Sequence, residues 1–321
     1  MVLIISENSD ISTNHVIEWI TSTGYPFVRI NWEDKVEIKS FNLDSFSLLI
    51  NDKVLVEYEK ITSVWFRRGK IKLHASYLNT KSDEDKFTNY LREHLKVELK
   101  AYEEYIYHLL HKKKHIGSFD KLHINKFVIL DKAVECGLNI PPTYVVSSKQ
   151  ELEKLLSKHG EVITKSSNYV LNFEYTSDNY MTYTEVINQE SLDLFPDTFA
   201  PSLCQMMIKK VYDVRVFFLN HECYSMVIFS QNREESKVDF RKYDYINPSR
   251  RVPYKLNKEI KSALVDLMNL INLKSGSIDI VVDENGNHYF LEINPVGQYG
   301  MVEFPCNYKL NEKITKYLID G

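Results

Sequence analysis

Short apolar runs alternate with helical stripes along most of the chain. VLIIS (2–6) is a continuous apolar run of strand length and predicts a buried strand. In DISTNHVIEWI, Val16, Ile17 and Ile20 share one helical face, with Ser12, Thr13 or Asn14 as candidate N-caps. FVRIN (27–31), FSLLIN (46–51) and SVWFRR (63–68) predict further strands, so the first hundred residues read as a small α/β domain. From 83 to 115, Phe87, Leu91, Leu95, Leu99, Tyr102, Ile106 and Leu109 recur three or four apart. That stripe predicts a long amphipathic helix, closed by the basic run HKKKH and stopped at Gly117.

Residues 121–137 predict a shorter helix with Gly137 just past its end. Pro141 and Pro142 exclude helix, and TYVVS after them is extended. ELEKLLSKHG predicts a helix ended by Gly160, and EVITK a strand. Residues 166–184 lack periodicity and predict a loop. LCQMMIKK, DVRVFFLN and CYSMVIFSQ read as strands, LNKEIKSALVDLMNLINL and NEKITKYLID as helices.

SIDIVVDENGNHYFLEIN predicts a hairpin, with Asn285-Gly286 in a type I′ turn. That turn puts Glu284 opposite Asn287 and hence Asp279 opposite Glu292. Opposed side chains share a face about 5 Å apart at Cβ, and Asn294 lies two residues beyond Glu292 on that face. Two carboxylates so placed repel unless a cation lies between them. Oxygen donors on a rigid hairpin suit Mg²⁺, whose shell phosphate and water complete.

Bulk composition excludes more than it selects. At 321 residues, 44% hydrophobic and 26% charged, the chain is long enough for two or three domains. A net charge of −4 gives no global basic field for nucleic acid. Cys136, Cys204, Cys223 and Cys306 form no CxxC pair, which fits reduced thiols in a cytoplasm. The start MVLIISENSD lacks a signal-peptide pattern, and no apolar run reaches the roughly 18 residues of a membrane span.

Cations for a nucleotide are available. Lys126 sits in a helix among Phe127, Ile129 and Leu130, and Lys165 ends a strand, where an ammonium can serve as a phosphate point charge. Gln205, Met206, Met207 and Ile208 form an apolar segment suited to a purine face. Asp213 and Arg215 alternate with Val214 and Val216, so they share one face, as a structural pair or with the Arg fork on phosphate or carboxylate.

The order Lys126, Lys165, QMMI, Asp213-x-Arg215, Asp279, Glu292-x-Asn294 resembles the ATP-grasp superfamily over residues 118–321. The resemblance implies an α/β (α+β) ATP-grasp fold with an N-terminal pre-ATP-grasp domain. Its expected domains are 1–117, including the long helix, a central subdomain 118–200 and a C-terminal subdomain 201–321. It assigns Lys126 and Lys165 to the phosphates of ATP, Gln205 to Ile208 to the adenine hinge, and Asp279, Glu292 and Asn294 to Mg²⁺, with Asp213 in the nucleotide set. Relatives often carry Glu after the hinge Gln, where this chain has Met206, which leaves hinge contacts to the backbone.

Three further stretches, SVWFRRGK (63–70), SQNREESKVDFRKYDYINPSRRVPYKL (230–256) and GQYGMVEFPCNYKL (297–310), together with LIISENSDISTNHVIEWI, resemble graspetide synthetases, most of all the grasp-with-spasm peptide maturases. That resemblance implies ligation of side chains within a ribosomal precursor peptide with a leader and a Thr/Glu-rich core. An Asp or Glu carboxylate would be activated as an acylphosphate and captured by a Thr or Ser hydroxyl or a Lys amine, giving a macrocyclic ester or amide. Arg215 and Arg241 would orient the reacting carboxylate, and Arg67, Arg68 and Asp239 would contact the peptide. A homodimer and a SPASM radical enzyme in the same pathway are expected partners. The rivals are a ligase joining a free amino acid to a small acid or protein terminus, and a non-catalytic ATP-binding scaffold; the retained acid–acid–amide set argues against the scaffold.

Overall fold

A computed structural model describes residues 1–74, 86–122, 124–168, 172–175, 178–230 and 249–320. In chain order the first elements are β1 (Val2–Ser6), α1 (Ile11–Ser22), β2 (Phe27–Asn31), β3 (Val36–Phe41), β4 (Phe46–Ile50), β5 (Val54–Glu57), β6 (Ser63–Phe66), α2 (Lys86–His111) and β7 (Lys114–Ile116). Then come α3 (Lys126–Glu135), β8 (Thr143–Ser148), α4 (Lys149–His159), β9 (Val162–Thr164), β10 (Asn172–Tyr175), β11 (Asp178–Met181), β12 (Glu185–Ile187) and β13 (Thr198–Met206). The remainder is β14 (Lys210–Leu219), β15 (Glu222–Phe229), β16 (Arg250–Tyr254), α5 (Lys258–Leu270), β17 (Ser275–Asp283), β18 (His288–Asn294), α6 (Gly300–Cys306) and α7 (Leu310–Ile319).

These elements form two compact units, Met1–Leu122 with Lys309–Gly321, and His123–Tyr308. The sequence reading kept the terminal helix with residues 201–321, whereas α7 folds against α1, β6 and β7 of the first unit. Its Leu310, Ile314 and Leu318 are buried, and Ser63 Oγ donates to the Leu318 carbonyl at 2.6 Å. An apolar stripe identifies a helix but carries no address for the sheet that will cover it.

The first unit holds a parallel sheet of order β2-β1-β6-β7 and an antiparallel one of order β3-β4-β5. β1 is central and buried along its whole length, as its unbroken apolar run requires. The basic run HKKKH does not simply end the helix: α2 stops at His111, and Lys114–Ile116 becomes β7, paired in parallel with β6. Asp10, not Ser12, Thr13 or Asn14, stands at the N-cap of α1, and its side chain does not cap.

Among the described residues, the second unit holds a four-stranded sheet, β12-β9-β13-β8, and a five-stranded antiparallel one, β16-β15-β14-β17-β18. The stretch 166–184, read as loop, contains the β10–β11 ladder. Asn125 starts α3 five residues later than expected, because its side chain accepts from the Phe127 and Val128 N–H groups. One face of the five-stranded sheet packs Val214, Val216, Phe218, Ile278, Ile280, Val282, Phe290 and Ile293 against α3 and α5. The alternate residues Asp213, Arg215 and Asp279 therefore face the other way.

Candidate functional site

Hairpin geometry brings the two acids together, though by a different route from the predicted one. The loop has three residues, not two: Gly286 N–H donates to the Asp283 carbonyl at 3.1 Å, and Asp283 N–H to the Asn287 carbonyl at 3.1 Å. Gly286 has φ +80°, while Asn285 does not take a positive φ. Asp283 organises this turn, its Oδ1 accepting from the Asn285 and Asn287 N–H groups at 2.9 Å each. That sets the lower ladder one residue off the predicted register, with Val282 opposite His288. A bulge then restores it: Ile280 pairs with Phe290 and Asp279 with Glu292, which leaves Leu291 as the extra residue. The bulge also lets Phe290 and Ile293, three apart, reach the same core. Ser277, rather than another acid, lies opposite Asn294.

Each acid of the pair carries its own cation. Asp279 is flanked on the other side by Arg215 of β14, whose guanidinium lies 2.5 Å from Oδ2, with the two side chains 10% and 13% exposed. Glu292 receives Lys126 Nζ at 3.0 Å, and the same ammonium donates to the Ser166 carbonyl at 2.9 Å. Lys126 thus ties the first turn of α3 both to Glu292 and to the segment after Lys165. Burial pushes the Asp279 carboxyl up; Arg215 opposes this and the Glu292 charge adds to it. Asn294 Oδ1 accepts from the Val296 N–H at 3.1 Å, closing the strand with a turn.

The Asp213–Arg215 pair weighed from sequence does not form as a pair. Asp213 instead binds Lys210, with Nζ 2.7 and 2.9 Å from its two oxygens, and accepts from Ser230 Oγ at 2.5 Å. Asp213 and Ser230 are buried, and so is the Lys210 side chain. Strand alternation would put residues 210 and 213 on opposite faces. A register shift between Lys210 and Tyr212 adds one residue, Val211, and reverses that parity. Asp213 is thereby a buried anchor between two strands, and Lys210 and Ser230 are partners that no spacing rule could signal.

The proposed hinge runs from the end of β13 into the three-residue link to β14. Gln205 is fully buried; its Nε2 donates to Thr143 Oγ1 at 2.8 Å, while its Oε1 has no partner. The Met206 and Met207 N–H groups are committed to the Pro142 and Glu161 carbonyls at 3.0 and 3.3 Å. Backbone contacts to a base are expected from this segment, and the Met206 and Met207 donors are already used. Lys165 follows β9 directly and is half-buried. Gly297 is pressed against Ser277, where a Cβ would fall 2.4 Å from the serine Cβ. Gly300 meets only its own helix.

Arg67 and Arg68 lie in the first unit, just past β6. Arg67 is buried against Asp10, Nε to Oδ2 at 2.8 Å, and Arg68 reaches Glu7 at 3.3 Å. Asp239 and Arg241 lie outside the described residues. Among the described residues, no group of three or more His, Cys, Asp and Glu side chains converges as a metal cluster. Two carboxylates and an amide fall below that count, and they are the oxygen donors that a hard divalent cation takes. No helix among the described residues is long and apolar enough to cross a membrane.

Neither a family model nor a curated protein matches the chain. Solved structures do. The chain is similar to the macrocyclase MdnC bound with precursor peptide MdnA from Microcystis aeruginosa MRC, at 22% identity and TM-score 0.78, covering 100% of this chain and 99% of that one. It is also similar to a Chryseobacterium gregarium RiPP-associated ATP-grasp ligase in complex with ADP and a leader and core peptide, at 24% identity and TM-score 0.77, covering 99% and 95%. A third is the ATP-grasp ligase PsnB complexed with a phosphomimetic variant of minimal precursor, Mg and ADP, at 16% identity and TM-score 0.68, covering 99% and 97%. The fold is the ATP-grasp type of α/β fold expected from the sequence.

Proposed function

We propose that this chain is an ATP-dependent ligase that activates Asp or Glu side chains of a ribosomal precursor peptide and joins them to Thr or Ser hydroxyls, or Lys amines, as macrocyclic esters or amides. The observation that carries this reading is the opposed pair Asp279–Glu292, 13% and 32% exposed, on a fold whose solved examples include complexes with ADP, Mg and precursor peptides. Asp279, Glu292 and Asn294 would hold Mg²⁺, and Lys126 and Lys165 the phosphates. Mg–ATP, when bound, supplies the phosphoryl group that makes the carboxylate carbon electrophilic. Arg215 and Lys126 are the cations such a site needs, because in the free protein they already neutralise the acids. Charge on the bound phosphates would compete for the same two cations as Mg²⁺ takes the acids.

Gln205 supports adenine as the base. Its buried Oε1 is an acceptor without a donor, and an exocyclic amino group supplies one. Gln205→Leu is expected to raise the KM for ATP roughly tenfold and to shrink the preference for ATP over GTP. An unchanged ATP/GTP ratio would remove Gln205 from the base site.

The reading is tested by incubating the protein with Mg–ATP and the acidic peptide encoded by the open reading frame beside its gene. Each bond formed lowers the peptide mass by one water. Tight ATP binding without mass loss would favour a scaffold. We further propose a homodimer: the N-terminal part of α2 exposes Tyr90, Leu91 and Val97, an apolar surface that sedimentation at rising concentration would report. The cysteine pattern supports a cytoplasmic location, and the sequence resemblance a SPASM radical enzyme as pathway partner.

A further inference from the structure

Pro141, Pro142 and Thr143 lead the chain into β8, and from sequence the two prolines only exclude helix. In the fold they do more. Neither proline has an N–H, and each ring fixes φ, so both residues offer firmly placed carbonyls that can only accept. The Pro142 carbonyl accepts from the Met206 N–H at 3.0 Å, which ties this segment to the end of β13. The Pro141 carbonyl accepts from the Thr143 hydroxyl at 2.8 Å. A hydroxyl has one hydrogen to give. With that hydrogen committed, Thr143 Oγ1 meets its next neighbour as an acceptor.

That neighbour is Gln205, which lies opposite Thr143 on β8 and opposite Ile163 on β9. Its Nε2 donates to Thr143 Oγ1 at 2.8 Å. The reverse orientation would set Oε1 against an oxygen whose hydrogen is spent, or take that hydrogen from the Pro141 carbonyl. The amide is therefore held one way round, with Oε1 as its unpartnered end. A glutamine without such a lock can turn its amide over and exchange acceptor for donor. The pair sits on the sheet face away from α4. Cys204, Val146 and Val162 pack with Leu152 and Leu156 on the α4 side, so Gln205, Thr143 and Ile163 alternate to the opposite one. There Val145 is 54% exposed, and Ile163 and Val186 are only half-buried. Apolar surface thus remains open on the side of the pair.

We propose that Thr143 is the positioning residue that decides which base this site accepts. By locking the Gln205 amide it presents an acceptor to an exocyclic amino group, as in adenine, and rejects a carbonyl oxygen in that place, as in guanine. A released amide would serve either base. The inference rests on the base reading of Gln205 given above and names what sets its direction.

The test uses the full-length protein with magnesium and no peptide, titrated with mant-ADP and mant-GDP and read by fluorescence, so that no turnover is involved. Thr143→Val keeps a branched side chain suited to a strand and removes the hydroxyl. It is expected to lower the preference for the adenine nucleotide about tenfold, through weaker binding of mant-ADP and tighter binding of mant-GDP. Thr143→Ser keeps the hydroxyl and is expected to keep the parent's preference. Thr143→Ala gives the same reading as Val where Val disturbs β8. A merely structural role would weaken both nucleotides alike, so an unchanged ratio in Thr143→Val would overturn the inference. A ratio in Thr143→Ser as low as in Thr143→Val would do so too, as would equal binding of the two nucleotides by the parent. Gln205→Leu separates the two ideas. Preference lost there but kept in Thr143→Val ends the positioning role and leaves Gln205 at the base; preference kept in Gln205→Leu removes both. The ligase reading is tested apart, by the loss of water with Mg–ATP.

Discussion

Both units contain two carboxylates matched to two cations, one pair buried and one more open, yet the two arrangements differ in what holds the acids. In the first unit, Asp10 is fixed by Arg67, Thr13 and the helix start, and Glu7 sits apart on the loop after β1. In the second, Asp279 and Glu292 oppose each other across one rung of a ladder. Removing the cations from the first would leave two separate acids. Removing them from the second would leave two like charges facing each other, a site that attracts another cation. On the proposed ligase reading, the shared ingredients stabilise one region and poise the other for exchange. Their carboxyl groups respond accordingly. For Asp10, burial acts to raise the pKa, but Arg67 and the Thr13 hydroxyl outweigh it and hold the group below the usual range. For Asp279, burial outweighs Arg215 and the group is raised.

The comparison breaks most visibly at the ladder. Asp279→Asn and Glu292→Gln should each abolish ATP-dependent water loss from the peptide while circular dichroism stays unchanged. Turnover near that of the parent in either would end the metal assignment. Next in size is Arg67→Met, which strands the Asp10 charge in the interior and should cost about 3–5 kcal/mol in urea unfolding. A loss below about 1 kcal/mol would mean that Asp10 is less confined than its burial implies. Gly297→Ala should cost about 1–3 kcal/mol, because the added methyl meets Ser277 at 2.4 Å. Equal stability would show that the 295–299 loop yields freely.

The finest contrast is in pH. Because the folded-state pKa of Asp10 is lowered, its contribution is complete above the ordinary carboxylate range and is lost as pH falls through the folded value. The stability advantage of the parent over Asp10→Asn should therefore shrink on acidification. Because that of Asp279 is raised, its ionisation costs stability as pH rises from the ordinary carboxylate range through the folded value. Parent minus Asp279→Asn should then slope the opposite way in urea unfolding with EDTA present. Parallel slopes would contradict the difference between the two regions.

Much of this was legible in the chain, and the reasons for the rest are specific. Periodicity identified β1, β2, β4, β6, β8 and the long stretch of α2, since continuous or alternating apolar runs have few other solutions. It missed β3, β5, β12 and β16, then β7, hidden in a basic run, and the short ladder within 166–184, whose polar residues carry no alternation. It paired Asp279 with Glu292 through a turn that the protein does not use, and an unseen bulge compensated.

The residue types, their order and the apolar faces belong to the sequence alone: two acids and an amide in apolar strands, a lysine within a helix, a glutamine opening an apolar segment. Tertiary structure alone decided which groups touch. The bulges at Val211 and Leu291 turn Lys210 toward Asp213 and set Glu292 opposite Asp279. Whether a strand takes up an extra residue depends on how the neighbouring strands and the helices beneath them fill the core. Such a choice of register is made by packing across the sheet, and no local pattern within one strand encodes it.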